Sequence, residues 1–172
     1  EAPFAVTIAQ VVSSGERMDY TIQKAVELGV AAIQPLEARR SVVRLSAERA
    51  VRRVQHWQGV VIAACEQCGR NRVPPVLPLA QFDGFLAARR SVTNEERRVL
   101  LSPRAALRLS ELDPPRGSLV MLSGPEGGFT PDEARAAETA GFLPVRLGPR
   151  VLRTETAAVA ALAAMQALWG DF

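Results

Sequence analysis

The hydrophobic and polar positions change period several times along the chain, and each change marks an element. Residues 4–12 (FAVTIAQVV) are rich in apolar and β-branched side chains and predict a strand. After Gly15 the pattern becomes helical, with Ile22, Ala25 and Val26 on one face and Gly29 placed as a C′ glycine. AAIQPL (31–36) predicts a second strand, and the strand–helix–strand order predicts a parallel sheet. Ser46 is placed to N-cap a long helix ending at Gly69, in which Ala50, Val54, Trp57, Val61, Ala64 and Cys65 recur at helical spacing. Pro74, Pro75 and Pro78 interrupt the pattern. Between 80 and 118 it supports only a short helix near 80–88, a strand at Val99–Leu101 and a turn at Pro114–Pro115.

The pattern sharpens toward the C-terminus. SLVMLSG (118–124) is a continuous apolar run ending in glycine, as buried parallel strands do. Thr130, Pro131 and Glu133 supply the N-cap, first-turn proline and reciprocal acceptor of a capping box, for a helix closing at Gly141. FLPVRLG (142–148) predicts another strand, and Thr154 is expected to cap a last helix from Glu155 to about Trp169. That helix carries Ala157, Ala158, Val159, Ala161, Leu162, Met165 and Leu168, so it is apolar on nearly every side and needs cover all round. A second copy of the chain is the expected cover, which predicts a homodimer through the C-terminal helix.

At 172 residues, 48% of them hydrophobic and 23% charged, the chain has the size and balance of one globular domain. It contains no uncharged apolar run of the roughly 18 residues that a membrane span requires. The opening EAPFAVTIAQVV lacks the basic and long apolar regions of a secretory leader, so a cytoplasmic location is expected. The net charge is +3, and Lys24 is the single lysine among 21 basic residues. From Ala38 to Arg72 eight arginines face only Glu48 and Glu66, a local net of +6. Arginine pairs bidentately with phosphate, so the cluster is a candidate nucleic-acid face, with a solvated helix surface as the alternative. Cys65 and Cys68 form a C-x-x-C late in a helix, away from the strand-to-helix start of a redox pair. With one histidine, His56, they fall short of a zinc ligand set; packed reduced thiols and no metal are expected.

The chemistry concentrates in two strand–loop–helix segments, SGPEGGFTPDE (123–133) and LGPRVLRTETA (147–157). In open α/β sheets, ligands bind where loops leave the carboxyl ends of strands. Gly124, Gly127, Gly128 and Gly148 let backbone amides and carbonyls approach a ligand closely. Neither loop holds a lysine, and the G-x-x-x-x-G-K-[ST] and G-x-G-x-x-G patterns are absent, which argues against a triphosphate cradle.

GPEGGFTPDE (124–133) and LGPRVLRTETA (147–157) resemble the two signature loops of the RsmE family, the 16S ribosomal RNA (uracil-N3)-methyltransferases of the SPOUT superfamily. QKAVELGV (23–30), ARRSVV (38–43) and the EQCGR run (66–70) extend the likeness in order along nearly the whole chain. The resemblance implies an α/β fold, a mostly parallel sheet flanked by helices, with a C-terminal deep trefoil knot that binds S-adenosylmethionine, in a homodimer. It also implies that residues 1–172 are the catalytic domain, without the N-terminal PUA-like RNA-binding domain that family members carry.

Under that resemblance the cofactor pocket is expected to draw on Leu122, Ser123, Gly124, Gly127 and Gly128 from the first loop. Leu147, Gly148, Leu152 and Arg153 are expected from the second. Uridine N3 must lose its proton before accepting a methyl group, and the charge spreads to O2 and O4. Arg150, Arg153 and Glu155 are the expected catalytic groups, arginine for the charge and carboxylate for the proton. Arg153 and Glu155 have a plainer alternative as a helix-capping ion pair, and Glu126 as an anchor of its loop to a neighbouring arginine. Lys24, Arg39, Arg40, Arg44 and Arg70 are the expected contacts to 16S rRNA of the small ribosomal subunit. Two rival readings stand beside this one: methylation of a ribose 2′-oxygen or a guanine by a related enzyme, and a catalytically silent RNA-binding module.

Overall fold

Strict alternation in β1 (Ala5–Val11) sends Val6 and Ile8 to one face and Ala9 and Val11 to the other, all of them buried. Both faces of this strand must therefore be covered, as at the centre of a parallel sheet. The computed structural model describes residues 3–89 and 96–172. Its other strands are β2 (Ala32–Glu37), β3 (Ala80–Gln81), β4 (Glu96–Leu101), β5 (Ser118–Ser123) and β6 (Leu143–Val145). They form one sheet in the order β3-β2-β1-β5-β4-β6, and every pairing is parallel. The expected mostly parallel sheet flanked by helices is the fold observed.

Helices α1 (Glu16–Glu27), α2 (Ala47–Cys68) and α5 (Thr154–Trp169) cover one face over Ile8, Ile22, Trp57, Met121, Leu162 and Met165. Helices α3 (Phe82–Ala87) and α4 (Pro131–Thr139) cover the other over Val11, Phe82, Phe85, Leu122 and Phe142. Full burial of each such side chain contributes roughly 1.5–3 kcal/mol. The caps follow the sequence. Ser46 Oγ accepts from Arg49 N, Gly69 closes α2 at φ 77°, and the Thr130–Glu133 capping box opens α4. Trp57 is buried because Asp19 Oδ1 accepts its indole N–H at 3.1 Å, which also fastens α2 to α1.

Four expectations need correction. Thr154 is the first residue of α5, not its cap; Arg153 holds the cap position and makes no side-chain cap bond. The threonine hydroxyl is engaged elsewhere, as described below. Leu162 faces the chain's own core, not a partner, because α5 packs against α1 and the sheet with Ala158, Ala161, Leu162 and Met165 inward. β4 begins at Glu96, earlier than the apolar run suggested, because the buried Arg98 is paired with Glu96 and donates to the Ala140 carbonyl. Of the two thiols, neither in a disulfide, Cys65 is buried and Cys68 exposed.

Candidate active site

The parallel sheet puts every strand's carboxyl end on one edge, and the two glycine loops leave β5 and β6 there. Between them lies a cavity of about 450 Å³, lined by residues 123–128, 145–148, 150–155 and 157, with 101–103 at the end of β4 and Arg17 from α1. Of the residues expected to hold a cofactor, all line this cavity except Leu122, whose side chain is buried against α3 and α4. The size falls in the range of small-molecule sites, and Leu101, Val145, Leu147 and Leu152 give it apolar walls.

Local geometry explains how the loops hold their shape. The first folds over Phe129, whose ring stacks on Phe82 at 4.9 Å; a Cβ on Gly124 would stand 3.0 Å from that ring. Gly128 has φ 67°, a left-handed conformation suited to glycine. The root of the second loop is stitched to the segment before it. Arg146 N donates to the Leu107 carbonyl, Leu109 N to the Arg146 carbonyl, and the Arg146 guanidinium to the Ala105 and Ala106 carbonyls. A buried hydrogen-bond chain joins the loops to the sheet. Gln10 Nε2 of β1 donates to Thr154 Oγ1 at 3.0 Å, and Thr154 donates to the Gly124 carbonyl at 2.7 Å.

Arg150, Arg153 and Glu155 all border the cavity, the arginines exposed and the carboxylate mostly buried. Glu155 Oε2 is buried without a partner, and Oε1 stands 3.9 Å from Arg17 Nε. Arg17, and not Arg153, is thus the ion partner of Glu155 among the described residues. Glu126 is held by the same arginine, Arg17 Nη1 donating to its Oε1 at 2.5 Å, with Ser14 Oγ donating at 3.4 Å. The anchoring role for Glu126 is therefore the one seen. Arg17, Gln10 and Thr154 are the site residues that sequence reasoning missed. Their contacts bridge 30 to 144 positions and leave no local signal.

The arginine cluster divides. Arg39, Arg40 and Arg44 follow β2 onto the loop edge. Arg40 donates to the Gly127 carbonyl at 3.0 Å, Arg39 N to Glu133 at 2.8 Å, and Arg44 to Glu37 and to the Arg39 carbonyl. Arg70 sits at the opposite edge, beside the starts of β1 and β5, and donates to the Val26 and Val30 carbonyls. Lys24 lies in the last turn of α1, paired with Glu27. The 22 residues of α2 separate the two groups by roughly 30 Å. Among the described residues no group of His, Cys, Asp and Glu is placed to hold a metal, and no helix is long and apolar enough to cross a membrane.

A parallel α/β sheet with a glycine-walled cavity at the carboxyl ends of its strands, ringed by arginines, defines a class of small-molecule-binding enzyme. Residues 1–166 match the RNA methyltransferase domain family. Ribosomal RNA small subunit methyltransferase E of Buchnera aphidicola subsp. Acyrthosiphon pisum (strain APS) is 35% identical over 173 residues, 100% of this chain and 67% of its own length. The ribosomal RNA small subunit methyltransferase E of Neisseria gonorrhoeae, solved bound to S-adenosyl methionine, superposes with a TM-score of 0.92 at 49% identity, over 100% of this chain and 69% of that one. A putative methyltransferase of Legionella pneumophila, solved with the cofactor SAM, gives 0.93 at 40% identity, over the same shares. The chain belongs to the ribosomal RNA small subunit methyltransferase E family.

Proposed function

We propose that the chain transfers a methyl group from S-adenosylmethionine to N3 of a uridine in 16S rRNA of the small ribosomal subunit, in the cytoplasm, with residues 1–172 acting as the catalytic domain. The observation that carries the reading is the cavity between the two glycine loops. Its apolar walls suit an adenine, and its loop backbone offers amides and carbonyls for the base edge and ribose. The mostly buried carboxylate of Glu155 stands in the same wall. When bound, the cofactor supplies an electrophilic methyl group.

The chain's own residues do the rest. Leu147 and Leu152 would hold the cofactor, and the Gly127–Gly128 backbone would offer it polar groups. Glu155 accepts the N3 proton, and Arg153 and Arg150 face the charge that develops on the uracil oxygens. Arg39, Arg40 and Arg44, on the same edge as the cavity, hold RNA phosphates; Arg70 and Lys24, at the other edge, are left to more distant phosphates. In the homodimer the outer side of α5 is covered by a second copy. Thr156, Val159, Ala160, Ala163 and Ala167 leave a half-exposed or exposed face of small side chains there, with Leu168 47% exposed. We read the C-terminal segment as the trefoil knot of the family. Supporting this, the chain leaves β6 at the sheet edge and returns past the 105–109 segment to place α5 against β1 and β5.

The test is a calorimetric titration with S-adenosylmethionine, followed by mass spectrometry of nucleosides from treated small subunits. Binding and a 3-methyluridine product are expected, and Gly127→Val should weaken binding, because a side chain there meets Arg40 at 3.7 Å and disturbs the bond that holds the first loop. No binding by the wild type, or equal heats for both proteins, rejects the cofactor site. A 2′-O-methyl or methylguanosine product rejects the uridine assignment.

A further inference from the structure

Arg17 joins parts of the site that the chain makes at very different times. It lies in the first turn of α1, yet its guanidinium reaches Glu126 in the first glycine loop at 2.5 Å and Glu155 at the start of α5 at 3.9 Å. Its side chain is 45% exposed, against 28% for Glu126 and 13% for Glu155, so the cation is on the solvent side and the carboxylates turn inward. All three residues border the cavity. Two carboxylates brought into one half-buried wall repel each other, and each loses solvation. A guanidinium, with five donors in a rigid fork, is the side chain suited to hold both.

Glu155 is held incompletely. One oxygen is near Arg17, while the other is buried and without a partner. A buried carboxylate oxygen left unpaired is costly, so the one ion partner that Glu155 has carries weight. The charged groups that share the cavity wall with it are Arg17 from α1, Glu126 from the first loop, and Arg146, Arg150 and Arg153 from the second.

On the reading of this cavity as the methyl-transfer site, we propose that Arg17 is a positioning residue. It pins the first loop through Glu126, closing the cofactor cradle, and it holds the Glu155 carboxylate in place on the cavity wall. It need not touch the substrate. Two separable effects follow, one on cofactor affinity through Glu126 and one on the transfer step through Glu155.

The experiment is a mutant cycle with Arg17→Met, Glu126→Gln, Glu155→Gln and the doubles with Arg17→Met. It is read by titration of S-adenosylmethionine and by single-turnover methyl transfer at saturating cofactor. Arg17→Met and Glu126→Gln should each weaken cofactor binding about tenfold, and the Arg17→Met/Glu126→Gln double should be no weaker than either, because they remove one interaction. Glu155→Gln should keep cofactor affinity within about threefold and lose about a hundredfold in rate. Adding Arg17→Met should cost little further rate. Arg17→Lys should recover part of both losses. Thermal melting of each unliganded variant separates these outcomes from unfolding. Wild-type affinity and rate in Arg17→Met, or fully multiplying effects in the doubles, overturn the proposal. If the wild type itself binds no S-adenosylmethionine, the functional reading fails instead, before any variant is compared.

Discussion

Replacing Thr154 by valine isolates the buried hydrogen-bond chain that ties the loops together. Valine keeps the shape and volume of threonine but offers neither donor nor acceptor. Thr154 is 8% exposed and Gln10 1%. The Gln10 amide keeps its bond to the Val11 carbonyl at 2.9 Å but loses the one to Oγ1, and the Gly124 carbonyl loses its hydroxyl donor. A buried polar group left unpaired costs about 1–3 kcal/mol. Gly124 is half-buried and recovers part of its loss from water, so T154V should lose about 2–3 kcal/mol in all. Serine keeps the hydroxyl and forfeits one methyl, about 0.8 kcal/mol. Urea denaturation reads the difference. With a slope near 2 kcal/mol per M, the T154V midpoint should fall by about 1 M and the T154S midpoint by less than half of that, with the slope unchanged. Freed from its anchor, the first loop should also bind cofactor more weakly in T154V and not in T154S. A T154V midpoint within about 0.2 M of wild type, or above that of T154S, refutes the reasoning.

Arg153→Ala should lose about a hundredfold or more in methyl transfer while keeping most of its cofactor affinity, because the charge it faces exists mainly in the transition state. Single-turnover kinetics at saturating cofactor check this, and a near-normal rate constant removes Arg153 from the mechanism. Ala163→Glu, on the outer side of α5, should convert a dimer to a monomer without altering the melting of the monomer, as read by sedimentation velocity. A monomeric wild type at micromolar concentration ends the dimer reading. Leu162→Glu does not serve as that test: it buries an unpaired charge in the chain's own core and should unfold the protein, which far-ultraviolet circular dichroism will report.

The glycine loops and the main strands and helices were legible because each is written in neighbouring residues. The capping box at Thr130 and Glu133, the αL glycine at 69 and the apolar run of β5 are local statements with local causes. The start of β4 was hidden because Glu96, Arg97 and Arg98 read as surface, whereas Arg98 is buried with Glu96 and backbone carbonyls as partners. The role of Thr154 was hidden for a related reason. A threonine before a helix is a good cap in isolation, and only the fold brings Gln10, 144 positions away, within reach. The apolar circumference of α5 signalled the need for cover but not its source. Much of that cover proved to be α1 and the sheet of the same chain. The arginine cluster looked continuous because sequence distance stood in for spatial distance, while a long straight helix carried its two ends to opposite edges.

The place of β1 in the sheet sets a timetable for synthesis. Once made, it pairs on one side with β2, within a few dozen residues. On its other side Ala5 through Gln10 must wait for Ser118 through Ser123. At roughly 5–20 residues per second that wait lasts on the order of 5–20 s. During it an apolar strand has one edge open and one pairing unmade, the condition in which strands join the wrong neighbour. Pocket closure comes later still, since Thr154 and Glu155 follow Ser123 by roughly thirty residues. A nascent or prematurely terminated chain therefore has no working site, and whatever holds it in the meantime meets the unfinished sheet first.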